Sequence, residues 1–437
     1  MTKFVSVCGA LVLLGPLLSG CGGEYVQADY WVLHIIDDDM EGADGVDLFD
    51  IDGDGDLDAV SAWEESGVVL LHENPGPTQV KNRWARTVVN GGLDVQKIED
   101  ARFADFDGDG FIDAVVTATE KRSEKVGIHW LINPDAPFDR QSWQGNWIDS
   151  PVQYLFTRIA IGQIDGQGPL DIAVGSKSDS KAARLVWFQA PDKLIPGEAN
   201  IWQGREVADI EWVNSLHILD INDDGRNDLL LNHKHHLAWY ENPGAPNMDD
   251  DWPIHTISST TYSHLAMCNT DENPDVLRMV VGADIGAAVA GDTVAWLVAK
   301  QLDENQRWTG NWIQQAITTA DPIPRDPSQE DYAIKSIACG NIDDNPLPDI
   351  VMSISGYGHG VFALLNLADT WEPQQLRLQT IASTRQNSRR GIKHDDLWLV
   401  DLDQDGDLDI ITTEENGNLD GYWSTRGLGL IWYENPL

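Results

Sequence analysis

The chain has 437 residues, with 71 acidic against 29 basic side chains and a formal net charge of −42. Hydrophobic residues make up 42%, which supports a large core and excludes compositional disorder. The acid excess repels phosphate backbones and anionic headgroups, so it argues against nucleic acid as a partner and favours bound cations.

The N-terminus reads MTKFVSVCGALVLLGPLLSGCGG. Lys3 precedes an apolar run too short, and too broken by Gly15 and Pro16, for a comfortable membrane span. Ending in Leu18, Ser19, Gly20 and Cys21, the run resembles a bacterial lipoprotein signal. The resemblance implies cleavage before Cys21 and lipid attachment to its thiol; an ordinary secretory signal is the alternative. Gly22 is not the aspartate associated with inner-membrane retention, which points to the outer membrane or cell surface. The expected layout is a signal over 1–20, a lipidated tether over 21–29 and one domain over 30–437. No later segment has 18 consecutive apolar residues, so the membrane is reached through the anchor alone.

A repeat organises the rest. DIDGDGDLD (Asp50–Asp58), DFDGDGFID (Asp105–Asp113) and DLDQDGDLD (Asp401–Asp409) are close copies. DINDDGRND (Asp220–Asp228) carries Asn222 at the third position. QIDGQGPLD (Gln163–Asp171) and NIDDNPLPD (Asn341–Asp349) are degenerate, and NTDENPD (Asn269–Asp275) is shortened. Each copy precedes an aromatic strand of the WYENP type, as at Trp239 and Trp432. Trp-led segments recur between units, among them WVLHII at Trp31, WARTVV at Trp84 and WPIHTI at Trp252. The segments are short, alternate apolar with polar and end in Gly, Pro, Asn or Asp, which reads as β throughout. Seven such units of about 60 residues predict an all-β, seven-bladed β-propeller. WVLHII stands before the first loop and none follows the last aromatic strand, so the N-terminal strand is expected to complete the last blade and close the ring. The loops and WYENP strands resemble FG-GAP/VCBS repeats, over about residues 30–437. That resemblance implies a propeller scaffold and leaves the function open.

Numbered 1 to 9, the loop brings carboxylates at 1, 3 and 5 together when glycines at 4 and 6 let the chain turn. A carbonyl at 7 and Asp at 9 complete an oxygen cage suited to calcium. The expected ligand sets are Asp50, Asp52, Asp54, the Asp56 carbonyl and Asp58; Asp105, Asp107, Asp109, the Phe111 carbonyl and Asp113; Asp220, Asn222, Asp224, the Arg226 carbonyl and Asp228; and Asp401, Asp403, Asp405, the Asp407 carbonyl and Asp409. About four structural calcium ions follow. The loops at Gln163 and Asn341 have fewer charges, and turns held by Asx hydrogen bonds without an ion are favoured there. The shortened unit at Asn269 is expected to bind nothing.

Of the four cysteines, Cys8 leaves with the signal and Cys21 takes the lipid, which leaves Cys268 and Cys339 in a compartment that permits disulfides. They fall on equivalent innermost strands of adjacent blades in opposite pleat phase, and a disulfide and two buried free thiols both stay open.

A ligand is expected on the face opposite the aspartate loops. The loops there carry Glu64, Glu65, Glu120, Lys121, Arg122, Lys177, Lys181, Arg184, His233, Lys234, His235, His236, Tyr357, His359, Glu414 and Glu415. Loops before the innermost strands add Lys97, Tyr154, His217, Tyr262, His264, Lys335, Arg389, Arg390, Lys393 and His394. Basic groups clustered in an acidic chain suggest an anionic ligand, although each alone is more often solvated decoration. No Ser-His-Asp order, phosphate loop or zinc-spaced Cys/His motif is present. The reading is a monomeric, surface-anchored, calcium-stabilised propeller that binds a glycan or partner protein. The alternative is a carbohydrate-active enzyme, a polysaccharide lyase or sugar dehydratase, with His233, His235, Tyr357 and His359 as first candidates for catalysis.

Overall fold

The computed structural model describes residues 31–90, 94–139, 143–177, 183–195, 202–233, 236–245, 248, 250–259, 262–268, 277–283, 293–305, 307–320, 333–355, 360–368, 371–383, 393–415 and 427–437. Their strands form seven antiparallel sheets, and the unit from Trp31 to Leu437 is a seven-bladed propeller. Blade 1 shows the plan. An inner strand (Ala43–Phe49) runs into the aspartate loop, a second strand (Asp58–Trp63) runs back, a third (Val68–Glu73) ends in Asn-Pro, and an outer strand (Ala85–Val88) follows Trp84. In blade 2 the inner position is split into Val95–Gln96 and Ala101–Ala104, both paired with Asp113–Glu120.

The ring closes as the repeat phase requires. Val32–Asp37 pairs antiparallel with Gly429–Glu434 and becomes the outer strand of blade 7. Both chain ends of the propeller thus share one sheet, which leaves no unpaired seam between first and last blades.

Second strands are buried on both faces, so they are predominantly apolar, as in DAVSAW. Outer strands turn one face to solvent, and Ile254 and Ile313 on them are more than half exposed. The core is divided into seven clusters, each spanning two neighbouring blades. The last joins Ile36, Leu430 and Trp432 of blade 7 to Ala43, Trp63 and Leu70 of blade 1. Trp63, Trp130, Trp187 and Trp432 are completely buried in these clusters.

Cys268 and Cys339 form a disulfide between blades 5 and 6, with a Cα–Cα distance of 5.2 Å. Cys268 directly follows the inner strand Tyr262–Met267, and Cys339 lies in the inner strand Ala333–Gly340. The bridge spans 71 residues, so it restricts the unfolded chain considerably. Replacing both cysteines by serine is expected to lower the unfolding free energy by about 2–4 kcal/mol in a denaturant titration.

One irregularity recurs. The inner strands shift register between Ala43/Val46, Phe156/Arg158, Val213/Ser215, Tyr262/Leu265, Ile334/Ser336 and His394/Leu397. The split strand of blade 2 breaks at the same level. A bulge leaves backbone groups outside the ladder, and here they face the axis.

Candidate functional site

The turns of the aspartate loops form as the spacing predicts, although Asp54, Asp113 and Asp405 stand outside the acid groups the loops gather. Position 4 adopts a left-handed backbone even without glycine, at Asp223 (φ 62) and Gln404 (φ 59), and position 6 is Gly55, Gly110, Gly225 or Gly406 with positive φ. The first carboxylate accepts both backbone N–H groups of this turn: Gly53 N at 2.8 Å and Gly55 N at 3.0 Å on Asp50, and Gly108 N at 2.8 Å and Gly110 N at 3.1 Å on Asp105. One oxygen of Asp52 and one of Asp54 accept an N–H two residues on.

Three loops gather acid oxygens within 4.8 Å of one another: Asp50, Asp52 and Asp58; Asp105, Asp107 and Asp109; Asp401, Asp403 and Asp409. Asp107 Oδ2 and Asp403 Oδ1 are buried without a hydrogen-bond partner. Burial, then the neighbouring carboxylate Asp109, pushes Asp107 above its usual range. Asp107 takes a backbone N–H from Asp109 on its other oxygen and Asp403 an ion pair from Lys81 (3.1 Å), and the orphaned oxygens fit a hard cation such as calcium. These carboxylates, with the carbonyls of Asp56, Phe111 and Asp407, would hold it.

The other loops differ. In blade 4, Asn222 Nδ2 donates to Asp224 Oδ2 at 3.0 Å, and Arg226 forms an ion pair with the same carboxylate. A cation is thus supplied by the chain. In blade 3, Gln163 Nε2 fills the loop by donating to the carbonyls of Gly168 (2.8 Å) and Pro169 (2.6 Å). In blade 6, Asn341, Asp343 and Asn345 form successive Asx turns. The Asn269 loop lies outside the described residues.

Position 9 has a role the spacing did not reveal. Asp58 accepts Ile51 N (3.1 Å) and Asn74 N (2.8 Å), tying the loop to the third strand. Asp228 does the same with Ile221 and Asn242, Asp349 with Ile342 and Asn366, and Asp409 with Leu402 and Asn435. Asp113 accepts Asn133 N and Trp130 Nε1, and stands outside its loop's acid group. Burial raises Asp58, Asp113, Asp349 and Asp409 alike to about 7, whether or not the loop gathers acids. The aspartate at position 9 is therefore first a pin. The strand-end asparagines extend it across blades: Asn242 Nδ2 donates to Ile164 O (2.7 Å) and Asn435 Nδ2 to Ile342 O (3.1 Å).

Residues 50–116 match the family model of the FG-GAP-like repeat. That match covers blade 1 from its aspartate loop and the first half of blade 2, in a chain whose described residues form a seven-bladed propeller. No curated protein matches it. The solved Dos1 propeller is similar at 8% identity, over 92% of this chain and 95% of that one, with a TM-score of 0.45.

The propeller has an axial cavity of about 440 Å³. Six inner strands line it, with Arg102, Arg158, His217, His264, Asp396 and Trp398 as its chemically distinctive side chains. The bulged backbone holds them. Val46 O accepts Arg102 Nη1 (3.2 Å) and Trp398 Nε1 (3.1 Å), and Val46 N donates to Asp396 Oδ2 (3.3 Å). Arg158 Nη1 donates to Thr157 O (2.7 Å), and its Nε reaches across to Asn214 O in blade 4 (2.9 Å).

His217, His264, Lys335, Lys393 and His394 lie on the inner strands themselves, not on loops before them. The inner strands begin earlier than expected and include all five, of which only His217 and His264 line the axial cavity. Burial, then Arg102, lowers His217 to about 4; burial lowers His72 to about 4 and His129 to about 3. Burial, then Arg158, holds His264 well below its usual value. An NMR titration is expected to show all four imidazoles neutral above pH 5. Their folded-state values lie below the unfolded one, so this contribution to stability is present at neutral pH and is lost as pH falls toward 4.

Toward the face opposite the aspartate loops, Asp44, Glu64, Glu65 and Glu415 approach within 4.8 Å of one another, and Lys393 pairs with Asp395 (3.1 Å) and Glu415. His233 ends the second strand of blade 4, nine-tenths buried, 5.3 Å from the His236 ring. His235, Tyr357, His359 and Cys21 lie outside the described residues. The sequence reading missed Arg102, Arg158, Asp396 and Trp398. Counting back from each aspartate loop finds them: Asp47, Arg102, His217 and Trp398 stand three residues before it, and Asp100, Arg158, Ser215, His264, Ser336 and Asp396 five before it.

Proposed function

We propose that the chain is an exported, lipid-anchored binding propeller. Calcium in the loops of blades 1, 2 and 7 stiffens the disc, and the axial cavity seats part of an extracellular ligand, a glycan or a partner protein. The observation that carries this is the convergence of side chains from six blades on one cavity of about 440 Å³, a size that suits a small ligand or the end of a larger one. Two arginines, two neutral imidazoles, a carboxylate and an exposed indole are more polar chemistry than packing needs. The reading moves the ligand seat from the loops of the far face to the axis.

The test is an array of extracellular polysaccharides probed with the full chain and with Ala338→Trp, which fills the cavity without removing a charge. At least one glycan is expected to bind, and the variant to lose it. A glycan bound equally by both would place the seat elsewhere. Lipid anchoring is checked by palmitate labelling, which Cys21→Ser is expected to abolish.

A further inference from the structure

Arg102 and Arg158 face the same cavity with different accounts of their charge. Arg102 is matched: Asp100 lies at 2.8 Å and Asp396 at 3.6 Å. Arg158 has no carboxylate within ion-pair distance among the described residues. Its partners are the Asn214 and Thr157 carbonyls and the ring of His264, whose Nε2 lies 3.2 Å from Nη2. His264 Nδ1 lies 3.1 Å from Ile334 O, which only a protonated nitrogen satisfies. The proton of the neutral ring is therefore on Nδ1, and Nε2 receives the Arg158 N–H. Three neutral acceptors orient Arg158; the carboxylates that feel its charge, Asp100 and Glu99, stand beyond ion-pair distance of it.

We propose that the axial cavity binds one small organic monocarboxylate, its carboxylate on Arg158 and its body on the Trp398 wall. The inference rests on the cavity being the ligand seat. A planar guanidinium with unspent donors matches a carboxylate. A guanidinium with no carboxylate in contact, with Asp396 on the same wall, suits a monoanion and penalises a dianion such as hydrogen phosphate. Ser336 and His217 also line the cavity and offer uncharged polar groups to the second oxygen. The remaining wall is apolar, made by Leu265, Met267, Ile337, Leu397 and Leu399 beside the 38% exposed Trp398. That wall suits an aliphatic or flat ring body and selects against a bare carboxylate.

The test is calorimetry and tryptophan fluorescence on the full chain. The probes are benzoate, phenylacetate, hexanoate and glucuronate, each with its neutral amide, and inorganic phosphate. At least one acid is expected to bind with a stoichiometry of one, at least tenfold more tightly than its amide or phosphate. Arg158→Gln is expected to remove that preference, Arg158→Lys to keep part of it, and Ala338→Trp to abolish binding. Melting curves identify any variant that fails to fold. No acid binding at 10 mM, an amide bound as well as its acid, or an unchanged preference in a folded Arg158→Gln would each overturn the proposal. Amides bound and displaced by Ala338→Trp would overturn only the charge preference, whereas acids bound equally by Ala338→Trp would overturn the cavity as the seat.

Discussion

Chelating divalent cations with EGTA is expected to lower the melting temperature by on the order of 10 °C relative to 10 mM calcium. Extracellular-grade sites have dissociation constants of about 10⁻⁴–10⁻³ M. At a hundredfold excess over the tighter limit, each site contributes about 2.7 kcal/mol, and three sites give about 8 kcal/mol. Among the described residues, the loops of blades 1, 2 and 7 are the three that gather acid groups. Each is closed by hydrogen bonds from its own turn onto its first carboxylate, so the cage forms only when the loop is folded and metal affinity becomes stability. Without an ion, like charges meet: burial, then Asp54, raises Asp52, and burial, then Asp405, raises Asp407 to about 6.

Two variants separate ligand from pin. Asp52→Asn is expected to lower the calcium stoichiometry by one. Asp349→Asn is expected to leave the stoichiometry unchanged and still cost about 1–3 kcal/mol, because an amide cannot accept both the Ile342 and Asn366 N–H groups. Identical melting curves with EGTA and calcium would end the structural role of the ion.

Legibility in the sequence follows the distance over which each feature is encoded. The aspartate loop is nine consecutive residues, so its backbone turn and its donors and acceptors can be read locally. Blade number and ring closure follow from repeat phase, which Val32–Asp37 pairing with Gly429–Glu434 bears out. The disulfide stayed open because pleat phase alone cannot place two strands of neighbouring blades; the structure brings Cys268 and Cys339 together. The axial cavity was obscured by its bulges. A strict two-residue period assigns alternate residues to each face, and the register shifts break that period where the cavity-lining side chains stand. Its lining also comes from six separate strands, so no local window contains a site.

Arg102→Met is expected to cost about 3–4 kcal/mol in denaturant titration, although it keeps much of the side-chain volume. The reason is what it leaves behind. Asp100 is 1% exposed, and Arg102 is its only ion-pair partner among the described residues. Asp47 and Asp396 also act on Arg102; burial lowers its basicity, but these three carboxylates hold it above the ordinary range. Burial already pushes Asp47 to about 6 against the opposing pull of Arg102. Asp100 is raised too, first by burial, with Arg102 the largest opposing influence. Removing the guanidinium leaves buried charge uncompensated and raises both carboxyls further. Groups whose folded pKa exceeds the unfolded one take up protons on folding, so they favour the folded state more as pH falls. The deficit of Arg102→Met is therefore expected to be largest at pH 7–8 and to shrink toward pH 5, opposite to the imidazole contribution. Asp100→Asn added to Arg102→Met is expected to recover part of the loss, although Asp100→Asn alone destabilises because Asp100 accepts Ala101 N and Ile159 N. A coupling energy near zero in that cycle would show that the two residues act independently, and that the axis of the propeller is held by bulged backbone contacts rather than by charge.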